Sequence, residues 1–512
     1  MGTKKQDMHK VKKTRCDPKV PRLEMNPDGS RENQGPQMYR PRLIVAGAGG
    51  SIGTAVCREL AEEYDIVALT RSEARSRLHE TDIPVTWQFC DFFSMSRVET
   101  ALTGAQYAVY LIHTRLPTAR LDQAASEDMD LLLADNFARA AHKNGVKQIV
   151  YLSSLIPEGE ITSPLMHSRY EIAEVLASYG TPVTTLRASF IVGPGSSVVN
   201  LLANMVLRVP FVLIPRWALT QKQPIALTDV LRAIRFCLGN GETFSRDYDI
   251  GGEAVLNFKE IMENAAAGLG VKRIILTIPY MSRRLYYWWI RLLDRGSHPG
   301  LVRMIVESLR YDAVVKDNPL QEIIVKDALP TQKALDPYLE QKEKDLPPNP
   351  RGAFKHYEDS DLIMQSRVRS IQRLRRPKSR NAKWVADYYY QWLPRFLRPF
   401  VLCEVDGEGS CDIYNRIPRL CILKLTFRPV QSSPHRRMYH ITGGLLARAF
   451  GSRNARMEYR DIPDSPYTIV AIHDFKPLLP WFFYIATQAV MHKFVMRAFQ
   501  KQLERLADEE DL

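Results

Sequence analysis

Residues 42–53 read RLIVAGAGGSIG, an apolar run that breaks into four glycines and leads straight into the helical pattern TAVCRELAEE. The run Arg42 to Ala46 is predicted as a strand, near-continuously apolar as expected for one buried on both faces. Beyond it, Ile52, Ala55, Val56 and Leu60 recur at helical spacing, which predicts an amphipathic helix over Ser51 to Glu63. Each glycine at the junction has its own task. Gly47 makes the tight turn out of the strand, Gly50 lets a bound group approach the backbone, and Gly53 lets helix and strand pack closely. The first-turn amides of Ser51, Ile52 and Gly53 have no partner inside the helix, so they point at whatever anion lies there. A second β-rich run, Ile66 to Thr70, follows in the order that turns a glycine spacing into evidence for a dinucleotide cradle.

The alternation continues outward from this unit. Strands are predicted at Val85 to Cys90, Tyr107 to His113, Gln148 to Ser153 and Val183 to Ala188, with a long helix over Glu127 to Lys143. This is the pattern of an α/β Rossmann fold, a doubly wound parallel sheet, placed over residues 41–256. Residues 257–329 carry aromatic amphipathic helices and read as a helical cap. Residues 330–382 are Pro-rich and charged and read as a linker, and residues 1–40 as a disordered basic leader. Residues 383–512 form a C-terminal α+β module, with strand-like runs Cys421 to Arg428, Arg437 to Thr442 and Tyr467 to His473, closed by one long helix from Trp481 to Leu506.

The end of the second strand selects the nucleotide. An NAD-selective site usually carries an acid there to hold the ribose hydroxyls, whereas this chain has Thr70-Arg71-Ser72. Arg71 can pair with a 2′-phosphate that a carboxylate would repel, and Ser72 can donate to it, so the expected cofactor is NADP, with NAD as the alternative. Asp91 and Phe92, after the third strand, are the candidate adenine contacts.

Composition bounds the remaining choices. No apolar stretch is long enough to span a bilayer, and seven scattered cysteines show neither a CxxC pair nor zinc spacing, so no metal is expected and a reducing cytoplasm fits best. The net charge of +13 is concentrated in the leader and in Arg367 to Arg380 (RVRSIQRLRRPKSR), without any motif for specific nucleic-acid binding. Those runs read as solvated linkers. The aromatic and basic stretch Trp384 to Arg398 is the candidate for peripheral contact with a membrane, and the oligomeric state is not legible.

These motifs, with Gly145 to Ser154 (GVKQIVYLSS), Leu186 to Gly195 (LRASFIVGPG) and Tyr248 to Gly252 (YDIGG), resemble the atypical and extended short-chain dehydrogenase/reductases. More narrowly, residues 41–325 are similar to bacterial NmrA-like, NAD-dependent epimerase/dehydratase-like proteins. The resemblance implies a pyridine nucleotide across the strand ends, with His113, Ser153 and Ser154 on its nicotinamide side. It also implies a YxxxK acid/base pair. Here the matching helix offers Tyr170 but puts Glu174 where the lysine belongs, and a carboxylate raises a phenol's pKa instead of lowering it. The literal YxxxK at Tyr338 to Lys342 falls in the charged linker, far from any strand end. Ser154 and Tyr170 are the candidate catalytic residues, and Arg169 either orients a ligand or is an ordinary helix arginine.

The C-terminal module is similar in pattern to the helix-grip SRPBCC or START-like domains, which implies an apolar cavity with His440, His473 and His492 as polar anchors. The leading expectation is an NADP(H)-dependent oxidoreductase acting on an apolar carbonyl, hydroxyl or quinone-like substrate. The alternatives are a non-catalytic NADP(H) sensor, or a hydrophobe-binding protein with a regulatory nucleotide domain.

Overall fold

The computed structural model describes residues 40–73, 76, 84–114, 119–156, 163–294, 296–316, 318–326, 328, 368–447 and 455–511, and the fold below is that of the unit Pro41–Leu512. Residues 1–39 of the expected leader, Tyr338 to Lys342 and the 330–367 part of the expected linker lie outside the described residues.

Seven strands form a wholly parallel sheet: β1 (Arg42–Ala46), β2 (Asp65–Thr70), β3 (Thr86–Phe89), β4 (Tyr107–Tyr110), β5 (Gln148–Ser154), β6 (Val183–Ala188) and β7 (Asp247–Ile250). Their order is β7-β6-β5-β4-β1-β2-β3. The order reverses between β1 and β4, and in an open α/β sheet ligands bind outside the carboxyl ends of the strands at that crevice. Helices cover both faces, so Leu43, Ile44, Val45 and Ala46 are all fully buried. On one face lie α1 (Ser51–Leu60) and the helix Leu227–Cys237; on the other lie α2 (Ser126–Lys143) and α3 (Pro164–Ala177).

The cap begins earlier than its sequence pattern indicates. Its core joins Leu201, Met205, Val212 and Ile214, from the stretch assigned to the Rossmann region, with Phe258, Tyr286, Ile290, Val302 and Ile305. The strand Phe211–Pro215 pairs with Ile274–Ile278, which ties the two segments together.

The C-terminal module is a largely antiparallel sheet of β8 (Val368–Arg375), β9 (Val401–Val405), β10 (Cys411–Asn415), β11 (Leu420–Phe427), β12 (Arg436–Gly443), β13 (Arg456–Asp461) and β14 (Tyr467–Phe475). The order is β9-β10-β11-β12-β13-β14-β8, and an eighth strand, Leu121–Gln123 from the Rossmann half, adds parallel to β8. Two expectations are corrected here. The basic run read as solvated linker contains β8, and the single closing helix is two, Trp481–Ala486 and α4 (Gln488–Asp511), with Thr487 between them at φ −122° and ψ −76°.

The run is structured because its cations are paired. Arg373 bonds Asp128 and Glu171, each at 2.7 Å, Arg375 bonds Asp508 at 2.7 Å, and Arg376 bonds Asp461 at 3.0 Å. One face of this sheet shares a core with α2 through Ile371, Ile462, Ile469 and Ala471. The other is covered by α4 and the helix Ala382–Phe396. There aromatic rings pack together: Phe499 lies 5.0 Å from Tyr389 and 5.1 Å from Trp392, centroid to centroid. Two of the histidines named as anchors lie on opposite faces of this sheet. His473 is buried against Phe93 on the Rossmann side, and His492 sits 3.1 Å from Ser370 Oγ, with burial pulling its ring down to about 4.

Candidate functional site

At the β1–α1 junction the backbone behaves as the glycine pattern requires. Gly47 has φ +91°, a conformation that side chains rarely adopt, and an added Cβ would lie 3.1 Å from the Leu111 carbonyl. A Cβ on Gly53 would come within 2.4 Å of the Gly47 oxygen, so helix and turn touch backbone to backbone. Gly50 is different. Its nearest neighbour would be 3.5 Å away, and this open side faces the cleft. No side chain caps α1 and no acid stands in its first turn, so its partial positive end is left for a ligand.

These residues form one end of a cleft of about 350 Å³ over the strand ends. It collects eight of the residues singled out in the sequence: Gly47, Gly50, Ser51, Ile52, Gly53, His113, Ser153 and Ser154. Leu111, Leu152, Phe190, Ile191, Met304 and Tyr311 also line it. First-turn amides and apolar side chains in one cleft fit a molecule that carries both a diphosphate and a flat ring.

Arg169 reaches the middle of this cleft from α3, with only 5% of its surface exposed. It meets His113 Nδ1 in a close contact and lies 3.3 Å from Nε2. A guanidinium can only donate, so the imidazole nitrogen that meets it accepts and is unprotonated. Behind the pair stands Asp130, 3.9 Å from Arg169 and 4.0 Å from His113. The Thr114 amide and hydroxyl both donate to Asp130 at 2.6 Å. Burial pushes the Asp130 carboxyl above its ordinary value, and Arg169 and Thr114 offset this only in part.

Five predicted residues do not join the cleft lining. Tyr170 is 48% exposed on the outer side of α3, one residue round the helix from Arg169, so the helix turns an arginine inward where a tyrosine was expected. Arg71 and Ser72 lie at the end of β2, where the Ser72 amide donates to Thr70 Oγ1 at 3.2 Å. Asp91 closes a local turn by accepting from the Phe93 amide at 3.1 Å. Phe92 is a core side chain, buried against Phe137, and its carbonyl accepts from Asn136 at 2.9 Å.

Sequence reasoning missed Lys222 and Asp130. Lys222 is 1% exposed and lines the cleft from the cap side, its ammonium donating to the Ser308 carbonyl at 2.7 Å and to the Tyr311 carbonyl. Burial pulls it down to about 8, against the opposing field of Asp312. A lone lysine in the two-residue strand Gln221–Lys222 carries no signal until the cap folds over it.

With that geometry in place, the chain can be set beside known proteins. Residues 47–191 match a family model described as NAD(P)H-binding. This part of the chain is an NAD(P)H-binding domain. The auxiliary protein GraX of Staphylococcus aureus is 30% identical over 153 residues, which is 30% of this chain and 45% of that protein, so the chain spans about half the length of this curated relative. Among solved structures, triphenylmethane reductase of Citrobacter sp. in complex with NADP(H) is similar with 16% identity and a TM-score of 0.46, over 58% of this chain and 99% of the other. An NADPH-dependent quinone oxidoreductase of Escherichia coli in complex with NADPH gives the same values. A nucleoside-diphosphate-sugar epimerase of Staphylococcus aureus aligns with 14% identity and a TM-score of 0.46, over 58% and 99%.

Proposed function

We propose that the protein is an NADP(H)-dependent oxidoreductase that acts on a small, largely apolar carbonyl or quinone-like substrate. One observation carries the reading: the α1 amides, the His113–Arg169 pair and the apolar wall of Phe190 and Met304 line a single continuous cleft. The bound nucleotide supplies a hydride donor or acceptor. The chain's residues do the rest. The first-turn amides of Ser51 to Gly53 hold the diphosphate, Arg71 and Ser72 receive the 2′-phosphate, and Asp91 meets the adenine edge. In the middle of the cleft Arg169 takes the electrostatic role left open by Glu174. A buried cation facing the substrate oxygen stabilises the negative charge that develops there, with the Ser154 hydroxyl as a further donor. Asp130 holds Arg169 from behind and Leu111 and Leu152 exclude water. Lys222 holds an exchangeable proton on the cap side of the same space.

The proton assignment has a distinct signature. Lys222→Met is expected to leave NADPH affinity within about twofold of wild type and to lower kcat by about 100-fold, the usual size of a general-acid contribution. In the wild type the rate should fall as pH rises through about 8, because Lys222 loses its proton there, and the variant should lack that limb. A retained limb in the variant would remove Lys222 from the reaction.

The nucleotide assignment is tested by calorimetry with NADPH and NADH. Arg71→Ala should weaken NADPH binding by about tenfold, the size of one lost charge-assisted contact, and leave NADH unchanged. Equal loss for both nucleotides would refute selection by Arg71. NADPH oxidation is then followed with a panel of aldehydes and quinones.

A non-catalytic NADP(H) sensor is the second reading. It is favoured by the outward Tyr170 and by Glu174 in place of a lysine. Tight NADPH binding with no turnover across the panel would select it.

A further inference from the structure

The stretch expected to touch a membrane, Trp384 to Arg398, is mostly core: Tyr389, Tyr390, Trp392 and Leu393 are buried under the C-terminal sheet. Its last turn, where Phe396 is exposed, joins a surface that is left apolar. The short helix Trp481–Ala486 is anchored by Tyr484, which is buried 6.3 Å from the Phe475 ring, and it turns Phe482 and Phe483 outward, 78% and 59% exposed. Across the break at Thr487, Val490, Met491 and Phe494 continue the exposed surface on α4. Phe494 packs 5.8 Å from Phe396, which brings in the segment ending at the exposed Phe400. The two segments thus form one aromatic and aliphatic patch of a kind that soluble surfaces rarely expose without use.

The charge carried by these two segments is of one sign. No Asp or Glu occurs in residues 475–503 or in residues 388–403, whereas Arg395, Arg398, Lys493 and Arg497 are all exposed at the border. We infer that this patch docks the protein onto an anionic lipid bilayer, with the phenylalanines in the headgroup and acyl boundary and the basic border on the phosphates. Rings at the interface with cations beside them are the arrangement by which a helix lies in a membrane surface, and each basic residue adds attraction to anionic lipid. A second copy of the chain is a poorer occupant, because self-pairing would bring two basic borders together. Among the described residues no helix is long and apolar enough to cross a membrane, so the contact is peripheral.

The test uses the full chain in co-sedimentation with vesicles of phosphatidylcholine alone or mixed with phosphatidylglycerol. Binding to the mixed vesicles is expected, falling with added salt and at least about tenfold weaker with phosphatidylcholine alone. F482S/F483S and, separately, K493Q/R497Q should each lower binding to the mixed vesicles by about tenfold or more, with NADPH affinity and thermal midpoint unchanged because all four side chains are exposed. Wild type that stays in the supernatant with both vesicle types would overturn the inference, as would full binding by both variants. A dimer of the wild type that F482S/F483S converts to monomer, without vesicle binding, would overturn it in favour of a second copy.

Discussion

Gly53→Val is expected to abolish binding of both NADPH and NADH and to lower the thermal midpoint, whereas Gly50→Ala abolishes binding and leaves the midpoint in place. At Gly53 the first added carbon would stand 2.4 Å from the Gly47 oxygen and 2.6 Å from Ala48 Cα. Both are main-chain atoms locked between β1 and α1, so the clash cannot be relieved by a rotamer change and α1 must shift. Overpacking of this kind costs about 1–3 kcal/mol and here displaces the amides that form the cradle. At Gly50 the added carbon meets nothing closer than 3.5 Å, so the fold tolerates it, but it fills the side from which a diphosphate approaches. Thermal melts and calorimetry on the two variants separate the effects. Nucleotide binding by both variants at wild-type affinity would remove the glycine turn from the site.

The second large effect is expected far from the cleft. Arg460 is 2% exposed and joins the halves of the molecule: it bonds Asp135 in a close contact, Asn136 at 2.8 Å, and Glu458 through Nε at 2.8 Å. Its removal leaves two buried carboxylates short of a partner. Each keeps one cation, since Arg139 bonds Asp135 at 3.0 Å and Arg436 bonds Glu458 at 2.6 Å. Arg460→Met is therefore expected near the lower end of the range for breaking a buried pair, about 3 kcal/mol, read from urea midpoints. The pH dependence has a definite sign. Burial pushes both carboxyls up, but for Glu458 the guanidiniums of Arg436 and Arg460, and for Asp135 those of Arg460 and Arg139, outweigh it and hold each below its ordinary value. The stabilisation is complete above the unfolded carboxylate value of about 4 and is lost as pH falls through the lower folded values. The gap between variant and wild type should accordingly be constant near neutrality and narrow in acid.

The parallel sheet was legible because its determinants are local. The strand ends predicted for β1 and β6 agree with the structure at both ends, and the glycine turn carries its function within seven residues. What was illegible depends on partners distant in sequence. Arg367 to Arg380 reads as solvated because nothing nearby neutralises it; Arg373 finds Asp128 and Glu171 more than 200 positions away. The rotation that turns Arg169 inward and Tyr170 outward amounts to one residue on a helix whose amphipathicity is weak, so spacing alone could not decide which of them faces the cleft. Aromatic residues at helical spacing in Trp384 to Arg398 were equally compatible with a membrane face and a core, and only the sheet beneath them decides for the core.

Leu121–Gln123 gives the molecule a topological dependence that its linear order hides. This strand belongs to the first third of the chain, yet its hydrogen-bonding neighbour, Val368–Arg375, is synthesised some 245 residues later. Until then its main-chain groups lack their neighbouring strand, and Asp128 and Glu171 await Arg373, which does not yet exist on the nascent chain. The nucleotide half therefore completes its outer surface only after the last module has left the ribosome, and severing the two produces halves that each carry an unfinished edge instead of two independent domains.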